Sequence, residues 1–170
     1  TILIKYWINK KNYWFKLFSI FGYSWSMPAY FINPVNDEHI DLLNRLNKQN
    51  QDLRVFISDK NSKDFTNKVP GIKAIGDITD DSDISTASEG AYCGIFFEGN
   101  TIQLRDIFLN AIKNSNLQRI LWISEEEPVN NILEIENLTY IKYSDKQNYF
   151  DTVLNLEELE EINEKLIDLN

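Results

Sequence analysis

Hydrophobic and polar positions along the chain alternate in short blocks that predict strands and amphipathic helices. The clearest block is the segment 91–124, in which apolar runs at 92–97 and 120–123 flank a helical stripe. The stripe consists of Leu104, Ile107, Phe108, Ala111 and Ile112. Their spacing of three and four residues is that of one helix face. A strand, a crossover helix and a strand of these lengths predict a parallel, right-handed unit.

The same patterns predict the other elements. Two β-rich runs around the turn 9–12 predict a β-hairpin over 1–20. Further strands are predicted at 30–32, 53–57, 72–75, 132–135 and 139–143, with polar loops at 58–68 and 77–90. Asn36 is the predicted N-cap of a helix ending near Gln49, and Asn100 that of the central helix. Asn155 is predicted to cap a C-terminal helix whose narrow apolar stripe runs to Leu169.

Together these elements predict a single α/β domain over residues 1–170. We expect a mixed central sheet, with the strand–helix–strand unit 91–124 at its centre. The N-terminal β-hairpin would lie at one edge and the C-terminal helix on a face. The alternative is an α+β fold with a mainly antiparallel sheet.

Composition narrows the class of protein. Hydrophobic residues make up 43% of the chain, which is enough for a substantial core. Cys93 is the single cysteine, so no intrachain disulfide can form, and a reducing compartment is expected. No apolar run approaches the roughly 18 residues of a membrane span. We therefore predict a cytoplasmic protein that does not bind membranes.

Charge is distributed unevenly along the chain. The net charge is −9, yet residues 1–75 carry more basic than acidic residues and residues 76–170 carry a large acidic excess. A dense acidic surface repels nucleic acid and anionic membranes, and it steers basic proteins toward itself. Solubility alone is the simpler explanation of such a charge. A basic aromatic patch on the hairpin, with Lys10, Lys11 and Trp14, could bind nucleic acid but is disfavoured by the remaining charge.

Several acidic residues follow the predicted strands directly. If those strands are parallel, their carboxyl ends share one edge of the sheet, where ligands of open α/β sheets bind. We therefore predict a partner-binding rim of eight carboxylates. They are Asp77, Asp80, Asp81, Asp83, Glu98, Glu125, Glu126 and Glu127. The plainer interpretation is that strands end in polar residues because loops are solvated.

The same carboxylates admit an enzymatic alternative, a small α/β enzyme that uses them with or without Mg²⁺. A metal site within 77–83 has enough oxygen ligands, but it lacks the glycine and glutamate of a calcium-binding EF-hand loop. A glycosidase-like carboxylate pair is not singled out by any spacing. We predict no metal and no cofactor.

No catalytic signature accompanies the carboxylates. His39 is the single histidine, and its place in the first turn of a helix predicts a surface residue. Cys93 lies within a strand, which favours a packed, inert thiol over a nucleophile. The turn at 99–101 has one glycine, and Glu98 beside it would oppose a phosphate. The sequence therefore favours a binding protein over an enzyme.

The chain is short, cysteine-poor and without catalytic motifs, and it carries acidic runs at 77–89, 125–127 and 157–164. In these features it resembles immunity proteins of bacterial toxin–immunity systems, including contact-dependent growth inhibition. The resemblance covers the profile of the whole chain and no defining motif. It implies a cytoplasmic protein that binds a toxin domain and occludes its active site. A basic nuclease is the toxin class that an acidic rim would complement.

Overall fold

The computed structural model describes residues 27–50, 52–144, 149–159 and 161–170, and its strands form one sheet. The strands are β1 (Ala29–Ile32), β2 (Arg54–Ser58), β3 (Ile72–Gly76), β4 (Cys93–Gly99), β5 (Arg119–Ser124), β6 (Leu138–Lys142) and β7 (Leu166–Asp168). Their order is β3-β2-β1-β4-β5-β6-β7, and every neighbouring pair is parallel. This is a doubly wound α/β sheet whose strand order reverses between β1 and β4.

Helices cover both faces of the sheet. They are α1 (Asp37–Gln49), α2 (Lys63–Lys68), α3 (Asp81–Ala87), α4 (Arg105–Lys113), α5 (Asn130–Leu133) and α6 (Tyr149–Glu158), with a 3₁₀ turn at Ile102–Leu104. α1 and α6 contribute to the core on one face, and α3, α4 and α5 to the core on the other. Covering both faces buries the central strands completely, which is why they are continuously apolar.

Strand β1 shows how the two cores meet. All four of its residues are buried, with Phe31 facing the α1 side and Tyr30 and Ile32 facing the α4 side. Its register places Phe31 between Val55 of β2 and Ile95 of β4. The short strand is thus held by parallel hydrogen bonding on both sides.

Two predicted features are present in the structure. The segment 91–124 forms β4, α4 and β5, with β4 and β5 parallel. Asn36 caps α1, because its side-chain Oδ1 accepts a hydrogen bond from the His39 backbone N–H over 3.0 Å. The predicted Asn100 cap is wrong: Thr101 precedes the 3₁₀ turn and makes no side-chain capping bond.

The α/β class agrees with the structure, but the predicted mixed sheet is wrong, and so is the antiparallel alternative. Helices connect the described strands, which therefore all run in one direction. Short helices α2 and α3 lie in segments predicted as polar loops. α2 has no buried residue and α3 only Ile84, and Ser62 and Asp80 cap them. The predicted hairpin 1–20 lies outside the described residues.

The C-terminal part of the chain also differs from the prediction. The strand predicted at 132–135 is wrong: its first half belongs to helix α5, which ends at Leu133. The last helix is α6, which begins before Asn155 and ends at Glu158, and the chain then forms β7. Pairing of Ile167 with Ile141 of β6 extends the sheet. Inter-strand hydrogen bonds at this edge outweigh the helical pattern of the last leucines.

Among the described residues, no helix has both the length and the apolar character that crossing a bilayer requires.

Candidate functional site

The carboxyl ends of the parallel strands form one edge of the sheet, which we call the carboxyl edge. The strand order reverses between β1 and β4, so the loops after these two strands diverge at this point. Open α/β sheets bind their ligands in the crevice that such a divergence creates. The side chains around this switch point are therefore the first candidates for function.

Asn33 follows β1 directly and ties it to both neighbouring strands. Its backbone N–H donates to the Phe56 carbonyl over 3.1 Å, and its side-chain Nδ2 donates to the Phe97 carbonyl over 2.9 Å. Its φ of 70° lies in the left-handed region, which asparagine tolerates better than most residues. The crevice between β1 and β4 is thus bridged by a buried side chain.

His39 lies beneath the β1–α1 loop and is only 1% exposed, so its predicted surface position is wrong. Packing explains the difference, because the imidazole sits against the rings of Phe31 and Phe97 at centroid distances of 5.6 and 4.2 Å. Its Nδ1 accepts a hydrogen bond from the Val35 backbone N–H over 3.0 Å. This leaves Nε2 to donate to the Tyr149 hydroxyl over 2.7 Å. Burial lowers the pKa of His39 to about 4, so the ring is neutral at physiological pH.

Two tyrosines adjoin His39 at the carboxyl edge. The rings of Tyr143 and Tyr149 lie 4.5 Å apart, and the Tyr143 hydroxyl donates to Glu125 over 3.1 Å. Burial raises the pKa of both phenols, and the carboxylates of Glu38 and Glu125 raise it further. Both tyrosines therefore remain protonated and do not act as bases.

Glu98 is on the predicted rim but cannot present its carboxylate to a partner, because its side chain is fully buried. One carboxylate oxygen accepts from Arg105 Nε over 2.6 Å and the other from Trp122 Nε1 over 2.7 Å. Arg105 also donates to the Tyr140 hydroxyl over 3.3 Å. Glu98 is therefore a structural anion that joins β4 to the start of α4.

The aspartates after β3 organise their own loop. Asp77 Oδ1 accepts from the backbone and hydroxyl of Thr79 over 2.9 and 2.7 Å. Asp80 accepts the same pair of bonds from Ser82 over 2.9 and 2.6 Å, which caps α3. Asp83 accepts from the Asp77 backbone N–H over 3.1 Å. Hydrogen bonds lower the pKa of Asp77 and Asp80, so both carry their charge at neutral pH.

The glutamates after β5 lie further along the same edge. Glu125 and Glu127 are exposed and Glu126 is half-buried. Glu127 forms an ion pair with Lys142, which also lies 3.8 Å from Asp168. Lys142 therefore neutralises part of this group while Glu125 faces solvent.

Asp81 completes the set of predicted rim residues. It is half-buried, and its carboxylate accepts a hydrogen bond from Asn114 over 3.4 Å. Of the eight predicted residues, Glu98 is buried and the other seven are exposed or half-buried, in one group that follows β3 and another that follows β5. β2, β1 and β4 separate β3 from β5, which sets the groups about 19 Å apart at the usual strand spacing.

We call these two groups the acidic edge: Asp77, Asp80, Asp81 and Asp83 after β3, and Glu125, Glu126 and Glu127 after β5. In the other described loops of the carboxyl edge the charges are mixed, because Lys60 follows Asp59 and helps to lower the pKa of Asp77. Asp37 and Glu38 open α1, and Asp59 follows β2. Two of the nearby cations, Arg105 and Lys142, are already paired with carboxylates.

Metal binding requires ligands that converge on a point. Within the described ranges no three histidine, cysteine, aspartate or glutamate side chains are grouped so that they could hold an ion. The aspartates after β3 are oriented by bonds within their own loop.

Cys93 lies at the start of β4 and is buried in the core beneath α1 and α6. Burial raises the pKa of its thiol to about 12, with a smaller contribution from Glu157. Because the thiolate is the reactive form, this cysteine is a packing residue, as its position within a strand predicted.

A groove of about 260 Å³ lies at the opposite, amino edge, between the first residues of β5 and β6 and the segment 161–165. Its polar side chains mainly bond main-chain carbonyls. Arg119 donates to the carbonyls of Leu156 and Glu157, and Thr139 to that of Glu164 over 2.8 Å. The groove is thus lined by residues that hold the C-terminal segment in place.

The residues that sequence reasoning missed are Asn33, His39, Tyr143 and Tyr149. They lie far apart along the chain and meet only because β1, β4 and β6 are parallel. The capping pattern after Asn36 locates His39 in the first turn of a helix. Whether the His39 side chain is buried depends on how α6 packs against α1.

No protein-family model and no curated protein matches the sequence. Solved structures that are similar include PA4631, a nucleoside-diphosphate-sugar epimerase from Pseudomonas aeruginosa, with a TM-score of 0.48 and 14% identity. That match covers 57% of this chain and 33% of the epimerase. A second is gox2253, with a TM-score of 0.50 and 10% identity over 68% of this chain and 51% of that one. The chain therefore spans only part of both proteins, and the second likeness concerns the fold alone.

Proposed function

We propose that this chain is a non-enzymatic binding protein whose acidic edge receives a basic protein partner. The observation that carries the proposal is the grouping of exposed and half-buried carboxylates after β3 and β5 of a parallel sheet. Such a field attracts cationic surfaces and repels phosphate groups. Nucleic acid and anionic lipid are therefore poor partners for this edge.

The chemistry of the described residues favours binding over catalysis. Both nitrogens of His39 are used in hydrogen bonds, and Cys93 is buried. The tyrosines at the switch point hold their protons. The rival proposal, a small enzyme that works through its surface carboxylates, would need a substrate site in which two of them converge. The aspartates after β3 are close to one another, but hydrogen bonds within their own loop occupy them, which gives that proposal less support.

The more specific form of the proposal is an immunity protein. Here the partner is a basic toxin domain in the cytoplasm, for example a nuclease, and binding occludes its active site. Opposite charge would speed the encounter and exclude wrong partners, and a buried contact would then determine the lifetime of the complex. The support for this form is the acidic edge together with the profile of the sequence.

The test begins with isolation of the partner from the source cells on the immobilised chain. Association is then measured by stopped-flow mixing between about 20 and about 300 mM NaCl, over which screening shortens the range of charge interactions. We expect the on-rate to fall with salt. Reversal of Glu125, Glu126 and Glu127 to lysine should slow association roughly tenfold or more at low salt.

A matched control reverses three exposed glutamates at the amino edge, Glu136, Glu161 and Glu164. This variant has the same net charge and should associate much faster than the first. Equal slowing in both variants would assign the effect to net charge and refute the acidic edge as the binding surface. Co-expression of the chain with the partner's toxic domain tests the immunity form, since growth should be rescued only when the two bind.

A further inference from the structure

Doubly wound sheets with this strand order commonly hold a dinucleotide at the switch point, and that function makes demands on the turn after β1. Glycines let the backbone approach the pyrophosphate, and free N–H groups at the helix N-terminus bind it. An acidic residue after β2 then bonds the ribose. Asp59 follows β2 and so occupies the position of the ribose-binding residue. Whether a dinucleotide fits therefore depends on the turn after β1.

The turn after β1 has no glycine, and part of its backbone N–H groups are missing or already bonded. It reads Asn33-Pro34-Val35-Asn36. Pro34 has no N–H, and the Val35 N–H donates to the His39 ring. The His39 N–H, further into the first turn of the helix, is bonded to Asn36. Hence Pro34, Val35 and His39 offer a phosphate no free N–H, and no glycine lets the backbone approach it.

The charge and the packing around the turn after β1 also disfavour a dinucleotide. Asp37 and Glu38 occupy the first turn of α1, where they would repel a pyrophosphate. The Asn33 side chain bridges to the Phe97 carbonyl of β4. His39 fills the space below the loop and contacts the ring of Phe97. The space between the two diverging strands is occupied by the chain's own residues.

We infer that the switch point is closed by Asn33 and His39 and does not accept a dinucleotide. The fold is that of a cofactor-binding sheet, but its ligand crevice is sealed by side chains that stabilise the sheet end. This inference is independent of the identity of the partner at the acidic edge.

The direct test is titration of the ¹⁵N-labelled full chain with NADH to about 5 mM, which would reveal binding with a Kd near 1 mM. We expect no saturable shifts in the amides of residues 33–39 and 97–99. Saturable shifts confined to these residues would overturn the inference. The same titration with NAD⁺ and with a nucleoside-diphosphate sugar covers the related ligands.

The seal itself is tested by amide hydrogen exchange of Val35. We expect protection in the native chain, and exchange faster by roughly tenfold or more in His39→Ala, because the acceptor of this N–H is gone. Asn44→Ala, on the exposed side of the same helix, is the matched control and should leave the rate unchanged. The β4 amides separate local opening from global unfolding, and His39→Leu, which also lacks an acceptor, serves if the alanine variant does not fold. The seal is refuted if His39→Ala leaves the Val35 exchange rate unchanged, or if the Val35 amide already exchanges fast in the native chain.

Discussion

His39 is the residue whose environment differs most from the one its sequence position indicates. Its ring is buried between two aromatic side chains and a tyrosine hydroxyl. A charged imidazolium in this place would lose its hydration and would have to donate to the Val35 N–H, which is itself a donor. The folded chain therefore binds a proton at His39 much more weakly than the unfolded chain.

This difference predicts a loss of stability in mild acid. The pKa of His39 is about 4 in the folded state, against an ordinary value of 6.5, so the unfolded chain takes up the proton first as the pH falls. Stability is full above about pH 6.5 and falls toward pH 4, with a loss of about 2 kcal/mol from this group by pH 5. Urea unfolding between about pH 7 and pH 5 measures it. His39→Gln should be less stable but should have a flatter pH profile. Parallel profiles would show that His39 is not buried in its neutral form.

Glu98 gives a second prediction at this scale. Its carboxylate is fully buried and depends on Arg105 and Trp122 for its hydrogen bonds. Arg105→Met should destabilise the chain by about 3 kcal/mol, because it leaves a buried charge without its cation. The double variant Arg105→Met with Glu98→Gln should recover part of this loss. Asp106→Asn, an exposed neighbour, is the control, and the midpoint of urea unfolding is the readout. Equal stability of Arg105→Met and the control would contradict the burial of this pair.

At the scale of elements, the two predicted helix caps show that the same sequence signal can have different outcomes in the structure. Asn36 and Asn100 both occupy cap-like sequence positions, but only Asn36 bonds the helix that follows it. Asn36→Ala should therefore cost about 1 kcal/mol of stability. Asn100→Ala is the matched control and should stay within about 0.5 kcal/mol of the parent. Equal costs would mean that Asn100 caps α4 after all.

The C-terminal segment shows why short elements are hard to predict. The leucines after Asn155 fit a helix, yet the chain forms β7 beside β6. A three-residue strand contains too little sequence to reveal a period of two. Its conformation is decided by the open hydrogen-bonding edge of β6, which only the assembled sheet provides.

For the whole molecule, the acidic edge predicts polarised electrostatics. A short oligolysine peptide, titrated against the ¹⁵N-labelled chain at low salt, should shift the amides around Asp80 and Glu125 more than those around Glu161. The shifts should disappear at about 0.5 M NaCl, because screening then acts within a few ångströms. Uniform shifts over both edges would show that net charge alone, without an acidic edge, governs the attraction.

Much of the architecture follows from the sequence alone. The apolar runs located β1 to β6 except for their exact ends, and the segment 91–124 specified a strand, a helix and a strand. These features are local, since periodicity, capping and turn residues lie within a few positions of one another. The acidic excess of the second half is also a property of sequence, whatever the fold.

The tertiary structure alone decided which strands are neighbours and therefore which side chains meet. Strand direction depends on crossovers through helices, and α2, α3 and α5 are too short to give a clear pattern. Parallel order brought the carboxylates after β3 and β5 to one edge, and it brought His39, Phe97 and Tyr149 together at the switch point. It also buried Glu98, because Arg105 and Trp122 reach its carboxylate only when β4, β5 and α4 are packed. Contacts between distant residues set burial, and burial determines which of the charged residues remain exposed for a partner.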